Sequence, residues 1–379
     1  MSCCEQNIPV ETRKSSYTLA NMLSSMALDP KRILMSRWGN LLAYFAGFFV
    51  LSLALCTVLG SPSSSNIYDP SADYLSHTPQ DGKATIIIPA YHEADSIEPL
   101  INKLTTKLDH DQTEIIVVDD NSRDGTVDVV QEFFEDGFDV NIITRTNKSG
   151  LSSAVIDGMA LAKGDILLVM DADGQHPPDA AAALLRSLRD TPDALMAMGV
   201  REKLASEWPW YRRVMSWGAT MLATPLVGSN VHDPMTGLFA IRAEVFRNSR
   251  PVNTSGFKIA LELLLKSILV QNNWESDVED RVIEVPYTFE ARKSGASKLG
   301  CKVVIQYAVQ LFGLYYWRLG MLLPIGIAVL ATLATYTLLS AYHSIRGSIR
   351  YERIRRMSGD MTDDEESRGM LAEAEKYED

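Results

Sequence analysis

The chain has 379 residues, of which 46% are hydrophobic and 22% charged, so it is long enough for one large domain or two small ones. The formal net charge is −12, and no basic stripe with interleaved aromatic residues occurs, which excludes nucleic acid as an expected partner. The cysteines at positions 3, 4, 56 and 301 lack metal-ligand spacing and indicate a reducing compartment rather than a disulfide framework.

The first apolar segment follows an N-terminal tail of residues 1–40 and covers residues 41–60, LLAYFAGFFVLSLALCTVLG. It carries no charge and has a length that crosses the hydrocarbon core of a bilayer. A buried core helix is the alternative, but the segment has no polar face. We therefore predict a transmembrane helix, followed by an extended polar linker over residues 61–82.

Residues 83–300 alternate between short apolar strands and amphipathic helices. The predicted strands are ATIIIPA, EIIVVDD, VNIITR and DILLVMDAD, and the helices between them include DSIEPLINKLTTKL, TVDVVQEFF and LSSAVIDGMALA. This alternation predicts an α/β fold, with a mostly parallel sheet and helices on both faces. In such sheets, ligands bind beyond the carboxyl ends of the strands.

Acidic residues stand at those carboxyl ends. IIIPAYHE ends with Glu93, VVDD with Asp119 and Asp120, and VMDAD with Asp171 and Asp173. Turn chemistry alone would explain any one of these acids, but three acidic strand ends at one edge indicate a shared site. Gathered carboxylates suit a hard divalent cation, Mg²⁺ or Mn²⁺, which commonly accompanies a phosphate. The pattern therefore predicts a metal–diphosphate site.

Three segments follow the predicted domain. Residues 301–318 combine apolar residues with tyrosine, tryptophan and arginine, a composition typical of an interfacial amphipathic helix. Residues 319–342 are uncharged and predict a second transmembrane helix. Residues 343–379 are first basic and then acidic; the last twenty hold nine acids and two bases, a net of −7, which predicts a disordered tail.

The order IIIPAYHE, VVDDNSRDGT, MDADGQHPPD resembles that of the inverting family 2 glycosyltransferases, which have the Rossmann-like GT-A fold. Three downstream motifs, DPMTGLFAIR, GFKIALELLLK and EVPYTFEARKSGASKLG, are similar to those of dolichyl-phosphate mannose synthases. The resemblance spans about residues 83–318. It implies an enzyme that moves mannose from GDP-mannose to dolichyl (polyprenyl) phosphate and forms a β-linked product.

The resemblance also implies roles for individual residues. Asp171, Asp173 and Gln175 would hold the metal, Arg212 and Arg213 would meet the acceptor phosphate, and Asp173, Arg292 and Lys298 would be catalytic. The residues implied to bind the donor are Pro89, Tyr91, Glu93, Val118, Asp120, Asp171, Ala172, Asp173, Gln175, Arg201, Lys258, Arg292 and Lys298. His92 departs from the family pattern, which often has asparagine there, and we interpret it as an exposed loop residue.

The chemistry is consistent with these residue types. A lipid monophosphate has a second pKa of about 6, so its oxygen is already an anionic nucleophile near neutral pH and needs no strong general base. Cationic side chains and the metal would stabilise the charge that develops on the departing nucleoside diphosphate. A single displacement without a covalent intermediate inverts the anomeric centre.

The sequence leaves three alternatives open. One is a dolichyl-phosphate glucose synthase, or another polyprenyl-phosphate sugar transferase, that uses a UDP-sugar such as UDP-glucose. Another is a processive polysaccharide synthase, although its usual Q-x-x-R-W motif is not in the sequence. The third is a non-catalytic membrane scaffold. Small regulatory membrane subunits are left open as partners.

The orientation in the membrane follows from two arguments that disagree. The resemblance implies the endoplasmic reticulum membrane, with the catalytic domain facing the cytosol, where nucleotide sugars of this type are expected. Basic residues flank both spans on the sides away from the domain, so the positive-inside rule predicts the opposite. Lys298, Lys302 and Arg318 put charge on the domain side as well, which weakens the prediction of this rule. We therefore follow the argument from the nucleotide sugar and expect a cytosolic domain.

Overall fold

The computed structural model describes residues 30–60, 67–69, 80–146, 150–203, 210–228, 231–269, 281–290 and 300–363. The chain divides into two compact units. One unit is Cys56–Gly320, and the other combines Met1–Leu55 with Met321–Asp379. The larger unit contains the predicted catalytic domain.

The strands of the described residues are β1 (Ile67–Tyr68), β2 (Gln80–Ala90), β3 (Thr113–Asp119), β4 (Val140–Thr144), β5 (Gly164–Val169), β6 (Met196–Lys203), β7 (Phe239–Arg242), β8 (Val252–Asn253) and β9 (Val282–Thr288). The α-helices are α1 (Pro30–Gly60), α2 (Ala94–Lys107), α3 (Thr126–Glu135), α4 (Leu151–Leu161), α5 (Pro178–Asp190), α6 (Trp210–Val227), α7 (Ala243–Arg247), α8 (Ile259–Leu263), α9 (Cys301–Leu319) and α10 (Leu322–Asp363). A 3₁₀ turn covers His110–Gln112, and a π-helical segment, Leu264–Leu269, follows α8.

The central sheet has the strand order β4-β3-β2-β5-β7-β6-β9 within the described residues. β4, β3, β2 and β5 are parallel neighbours, as are β6 and β9, while β7 lies antiparallel to both β5 and β6. The sheet is therefore mostly parallel, and the predicted α/β fold class is confirmed. The antiparallel strand β7 comes from the DPMTGLFAIR motif, for which the sequence predicted no strand.

The apolar runs form strands because the sheet is covered on both faces. Every residue of β3 is buried, and so are the isoleucines of β2. Successive residues alternate between two cores: Ile86 and Ile88 pack with α2, α3 and α5, whereas Ile87 packs with α4 and α8. The predicted apolar face of α2 is buried through Ile97, Leu100, Ile101 and Leu104.

The linker between α1 and β2 is partly ordered. Ile67 and Tyr68 form β1, which pairs antiparallel with β8, and the ring of Tyr68 stacks on Phe246 with 6.4 Å between centroids. The expectation of an extended linker over residues 61–82 thus needs correction at these two residues, and β2 begins at Gln80. A two-residue strand lies below the length that sequence patterns detect, because it depends on its partner rather than on its own periodicity.

Two helices of the described residues are long and apolar enough to cross a membrane: Asn40–Gly60 within α1, and Leu322–Arg353 within α10. They match the two predicted spans. The structure differs at the outer ends, since α1 begins at Pro30 and α10 continues to Asp363, where a disordered tail was expected from residue 343. Arginine and glutamate are good helix formers, and no proline interrupts this stretch. Residues 364–379 lie outside the described residues.

Candidate active site

The loop that follows β5 carries the two aspartates of the D-x-D motif. The Asp173 side chain is buried, and its Oδ1 accepts a hydrogen bond from the Gln175 backbone N–H at 3.0 Å. The Asp171 side chain is 37% exposed and faces Gly237, where a Cβ would lie 2.8 Å from Asp171 Oδ2. The glycine of the DPMTG motif therefore leaves room for this carboxylate.

A buried histidine, His176, contacts the Asp171 carboxylate. His176 Nε2 lies 3.3 Å from Asp171 Oδ2, and His176 Nδ1 lies 2.9 Å from the Tyr287 hydroxyl. Burial raises the pKa of the Tyr287 phenol above its ordinary value, so Tyr287 is protonated and can donate to Nδ1. The histidine then presents Nε2–H to the carboxylate. Sequence reasoning missed both residues, although each lies in a motif it singled out, DGQHPP and VPYTF.

The end of β6 contributes Arg201, which forms a two-pronged ion pair with Asp233. Arg201 Nε lies 2.6 Å from Oδ2 and Nη2 lies 2.8 Å from Oδ1, and both side chains are largely buried. This geometry matches the planar fork of guanidinium to carboxylate. Arg201 was predicted to lie near the donor phosphates, and its orientation is set by Asp233, a residue of the DPMTG motif that the sequence did not assign to the site.

Lys258 supplies a second cation. Its side chain is partly buried, and its Nζ donates to the Met235 carbonyl at 2.9 Å. Burial lowers the Lys258 pKa to about 8, and the neighbouring charge of Arg201 lowers it further, whereas Asp171 and Asp233 oppose this. The structure thus brings together motifs that are far apart in sequence. At this place the cations Arg201 and Lys258 lie near the carboxylates of Asp171 and Asp233.

The carboxyl ends of β2 and β3 form a second part of the site. We call the sheet edge at which these strands and β5 end the rim. Pro89 of β2 and Val118 of β3 lie opposite each other in the sheet. The buried Glu93 accepts from the Ser96 hydroxyl at 2.8 Å, and the Asp120 carboxylate binds Arg145 at 3.0 Å and the Gly150 N–H at 3.1 Å. Glu93 is therefore held by the first turn of α2, and Asp120 by the segment between β4 and α4.

The loop that carries Tyr91 and Glu93 has an unusual backbone. His92 has φ +56° and is exposed, as predicted, and Asn121 in the neighbouring loop has φ +65°. Asparagine and histidine are among the residues that tolerate this left-handed region. The departure at His92 therefore keeps the backbone conformation that asparagine favours, and the His92 N–H donates to the Ser122 hydroxyl at 2.8 Å.

Helix α6 contains the predicted acceptor-phosphate residues Arg212 and Arg213. The Arg213 residue is exposed, and the side chain of Arg212 lies outside the described ones. Sequence reasoning missed that α6 exposes a row of large apolar side chains: Trp210, Tyr211, Val214, Met215, Trp217, Met221 and Leu222. Arg292 and Lys298 lie in the undescribed segment 291–299.

Helix α9 lies beside α6, and three of its side chains form hydrogen bonds to backbone carbonyls of α6. The hydroxyls of Tyr307 and Tyr315 donate to the carbonyls of Ala219 (2.8 Å) and Leu222 (2.9 Å). Arg318 donates to the last carbonyls of α6, at Pro225 and Leu226, which have no helical partner of their own. α9 also exposes apolar side chains, namely Val304, Ile305, Val309 and Trp317. We call the exposed apolar side chains of the two helices the α6–α9 surface.

The implied metal ligands provide oxygen atoms. Within the part of the chain that the structure describes, no three His, Cys, Asp or Glu side chains form a metal-binding group. The Gln175 amide is oriented by a hydrogen bond from its Nε2 to the Glu290 carbonyl at 3.2 Å. Two carboxylates and an amide oxygen are hard donors that fit Mg²⁺ or Mn²⁺ when diphosphate oxygens complete the shell.

Comparison with known proteins identifies relatives. The model of the glycosyl transferase family 2 matches residues 85–250. The chain is 44% identical over 244 residues to the dolichol-phosphate mannosyltransferase of Saccharomyces cerevisiae, covering 62% of this chain and 88% of the relative. It is 39% identical over 262 residues to that of Mycosarcoma maydis, covering 66% and 86%. A solved structure of Mycobacterium tuberculosis glucosyl-3-phosphoglycerate synthase aligns with a TM-score of 0.48 and 19% identity, over 66% of this chain and 84% of that one.

Proposed function

Because the chain belongs to the glycosyl transferase family 2, among relatives that are dolichol-phosphate mannosyltransferases, we propose that it transfers mannose from GDP-mannose to dolichyl phosphate. The observation that carries this proposal is the convergence of Asp171, Arg201 and Lys258, from three separate motifs, at one rim of the sheet. A rim with carboxylates beside cations suits a metal-bound diphosphate.

The donor site is proposed to comprise both parts of the rim. Pro89, Tyr91, Glu93, Val118 and Asp120 would contact the nucleoside. Asp171, Asp173 and Gln175 would hold Mg²⁺ or Mn²⁺, which when bound neutralises charge on the diphosphate. Arg201 and Lys258 lie close to Asp171 and stabilise negative charge on the departing nucleoside diphosphate. Arg292 and Lys298 are proposed to add to this group of cations.

The acceptor is proposed to be a polyprenyl phosphate that approaches from the membrane. The α6–α9 surface exposes aromatic and aliphatic side chains, the kind that insert at a bilayer interface. Arg212 and Arg213 stand on α6 and would meet the lipid phosphate, whose ionised oxygen attacks the anomeric carbon. Direct displacement inverts the anomeric centre and gives the β-linked product. The membrane is proposed to be that of the endoplasmic reticulum, with the larger unit in the cytosol.

A transfer assay tests the proposal. The full-length protein in detergent, with Mg²⁺ or Mn²⁺ and dolichyl phosphate, should form a labelled lipid product from GDP-mannose and not from UDP-glucose. Product from UDP-glucose alone would instead support the glucosyl alternative. Absence of lipid product from either donor would contradict a polyprenyl-phosphate transferase. In sealed microsomes, protease protection of the larger unit would overturn its cytosolic orientation.

A further inference from the structure

The side-chain amide of Gln310 on α9 is buried against the GFKIALE segment that contains Lys258. Its Oε1 accepts from the backbone N–H groups of Phe257 and Lys258 at 2.9 and 3.0 Å. Its Nε2 donates to the Lys258 carbonyl at 3.2 Å and to Glu262 Oε2 at 3.1 Å. One amide thus binds the backbone on both sides of the Lys258 Cα atom.

The surroundings of Gln310 are shaped to hold this amide. A Cβ at Gly256 would lie 2.6 Å from Gln310 Cδ and 2.9 Å from its Oε1, so only glycine leaves the space free. Glu262 is buried, and its Oε1 accepts from the Asn253 N–H and from Lys266 Nζ at 2.7 Å. A buried carboxylate with an ion-pair partner and several donors is a stable anchor, because its desolvation is compensated.

The contact has a direct consequence for Lys258. The N–H groups of Phe257 and Lys258 stand at the start of the short helix α8, where no helical partner is available. Gln310 satisfies them and so fixes the backbone from which the Lys258 side chain extends to its Met235 carbonyl contact. The helix that forms half of the α6–α9 surface therefore also determines where the site cation lies.

We propose that Gln310 is a positioning residue that holds Lys258 in place to bind the diphosphate of the donor. This inference rests on the proposed function, since it takes the donor to be a nucleoside diphosphate sugar. It also gives a role to Glu262 of the same GFKIALE segment: Glu262 binds Gln310, which in turn binds Lys258. A one-ångström displacement of a site group can lower its effectiveness by about a hundredfold.

The test measures the binding of GDP and of guanosine, each with Mn²⁺, to the full-length protein by calorimetry. Gln310→Leu should weaken GDP binding by about tenfold, because a charge-assisted contact to the diphosphate is displaced. Binding of guanosine, which has no phosphate, should change by less than about twofold. A residue with a merely structural role would weaken both ligands equally. Gln306→Leu, one turn earlier on the same helix at an exposed position, is the matched control and should bind both ligands like the wild type.

A double-mutant cycle identifies Lys258 as the residue through which Gln310 acts. In the Lys258→Met background, Gln310→Leu should weaken GDP binding by less than about twofold, because coupled residues are not additive. Full additivity would overturn the proposal. Gly256→Ala, which displaces the Gln310 amide without deleting it, is the second variant in case Gln310→Leu does not fold, and it should reproduce the tenfold loss for GDP alone.

The outcomes separate the two proposals. If the wild type binds neither GDP nor UDP, the proposed function fails, and the role of Gln310 fails with it. If the wild type binds GDP but Gln310→Leu and Gly256→Ala bind it with unchanged affinity, only the role of Gln310 fails.

Discussion

Lys258 is a partly buried cation, and its partial loss of hydration costs stability. Its ammonium has a hydrogen bond to the Met235 carbonyl and lies beside the Arg201 charge, so the carboxylates of Asp171 and Asp233 compensate its burial incompletely. A bound diphosphate would supply the missing negative charge. An incompletely compensated charge of this kind is typical of functional sites that bind a ligand of opposite charge.

The pH dependence of stability should reveal this cost. The Lys258 pKa is about 8 in the folded chain, below its ordinary 10.5, so the unfolded chain binds more protons between these values. The free-energy penalty of holding the protonated Lys258 in the folded chain is therefore constant below about pH 8, on the order of 3 kcal/mol, and decreases as the pH rises toward 10.5.

Lys258→Met should gain stability relative to the wild type at pH 7 and lose that advantage progressively above pH 8. Thermal unfolding at several pH values measures this, and Lys107→Met on the exposed surface controls for the lost charge. A stability difference that does not vary with pH would contradict the buried cation.

Asp173 should be required for transfer but not for folding. Its Oδ1 accepts from the Gln175 N–H, and Asp173→Asn can keep that contact while removing the charge that would hold a metal. We expect loss of transfer by at least about a hundredfold, with little change in melting temperature. Asp179→Asn, at an exposed carboxylate on α5, should be fully active. Full activity of Asp173→Asn in the transfer assay would exclude the metal site.

At the scale of elements, the short β1–β8 pair connects the linker to the larger unit. The two-residue β1 would have little stability by itself, but Tyr68 stacks on Phe246, whose side chain is fully buried in the core. The pair therefore divides the N-terminal region into a part before β1 and a part bound to the domain.

Two deletions distinguish these parts. Removal of residues 1–60 should leave transfer active, because β1 and the rim residues are retained. Removal of residues 1–70 takes β1 as well and should lower the melting temperature by several degrees, since it exposes part of a buried aromatic contact, on the order of 1–2 kcal/mol. Melting temperature and transfer are measured on both proteins. Equal melting temperatures would show that the β1–β8 pair contributes nothing to stability.

At the scale of the whole molecule, the unit Cys56–Gly320 ends just after α9. It contains the sheet, the candidate rim and the α6–α9 surface. α9 belongs to this unit through Gln310 and through its hydrogen bonds to α6, so the helix is part of the site's architecture as well as of the exposed α6–α9 surface.

Truncation from the C-terminus tests this division. Deletion of residues 321–379 should retain transfer to a short-chain polyprenyl phosphate in detergent, since α9 remains. Deletion of residues 301–379 should abolish it and weaken GDP binding, because Gln310 and the helix contacts are lost. Transfer and GDP affinity are measured separately on each protein. Normal transfer after the longer deletion would place the acceptor side elsewhere.

Local pattern in the sequence was sufficient for the strands β2 to β5, the apolar face of α2, the two apolar spans and the motifs of the rim. Each of these depends on neighbouring residues: uniform apolarity marks a strand buried on both faces, and a 3.6-residue period marks a half-buried helix. The placement of acidic residues just after β2, β3 and β5 also followed from sequence, and the carboxyl ends of parallel strands lie at one edge of the sheet.

Only the tertiary structure decided which partners these residues have. The Arg201–Asp233 pair, the contact of Tyr287 with His176 and the bonds of Gln310 to Lys258 join residues separated by 32, 111 and 52 positions. The antiparallel insertion of β7 between β5 and β6 is what brings the DPMTG motif beside the D-x-D loop. No local period encodes such contacts, since they depend on the register of strands and the packing of helices that fold from distant parts of the chain.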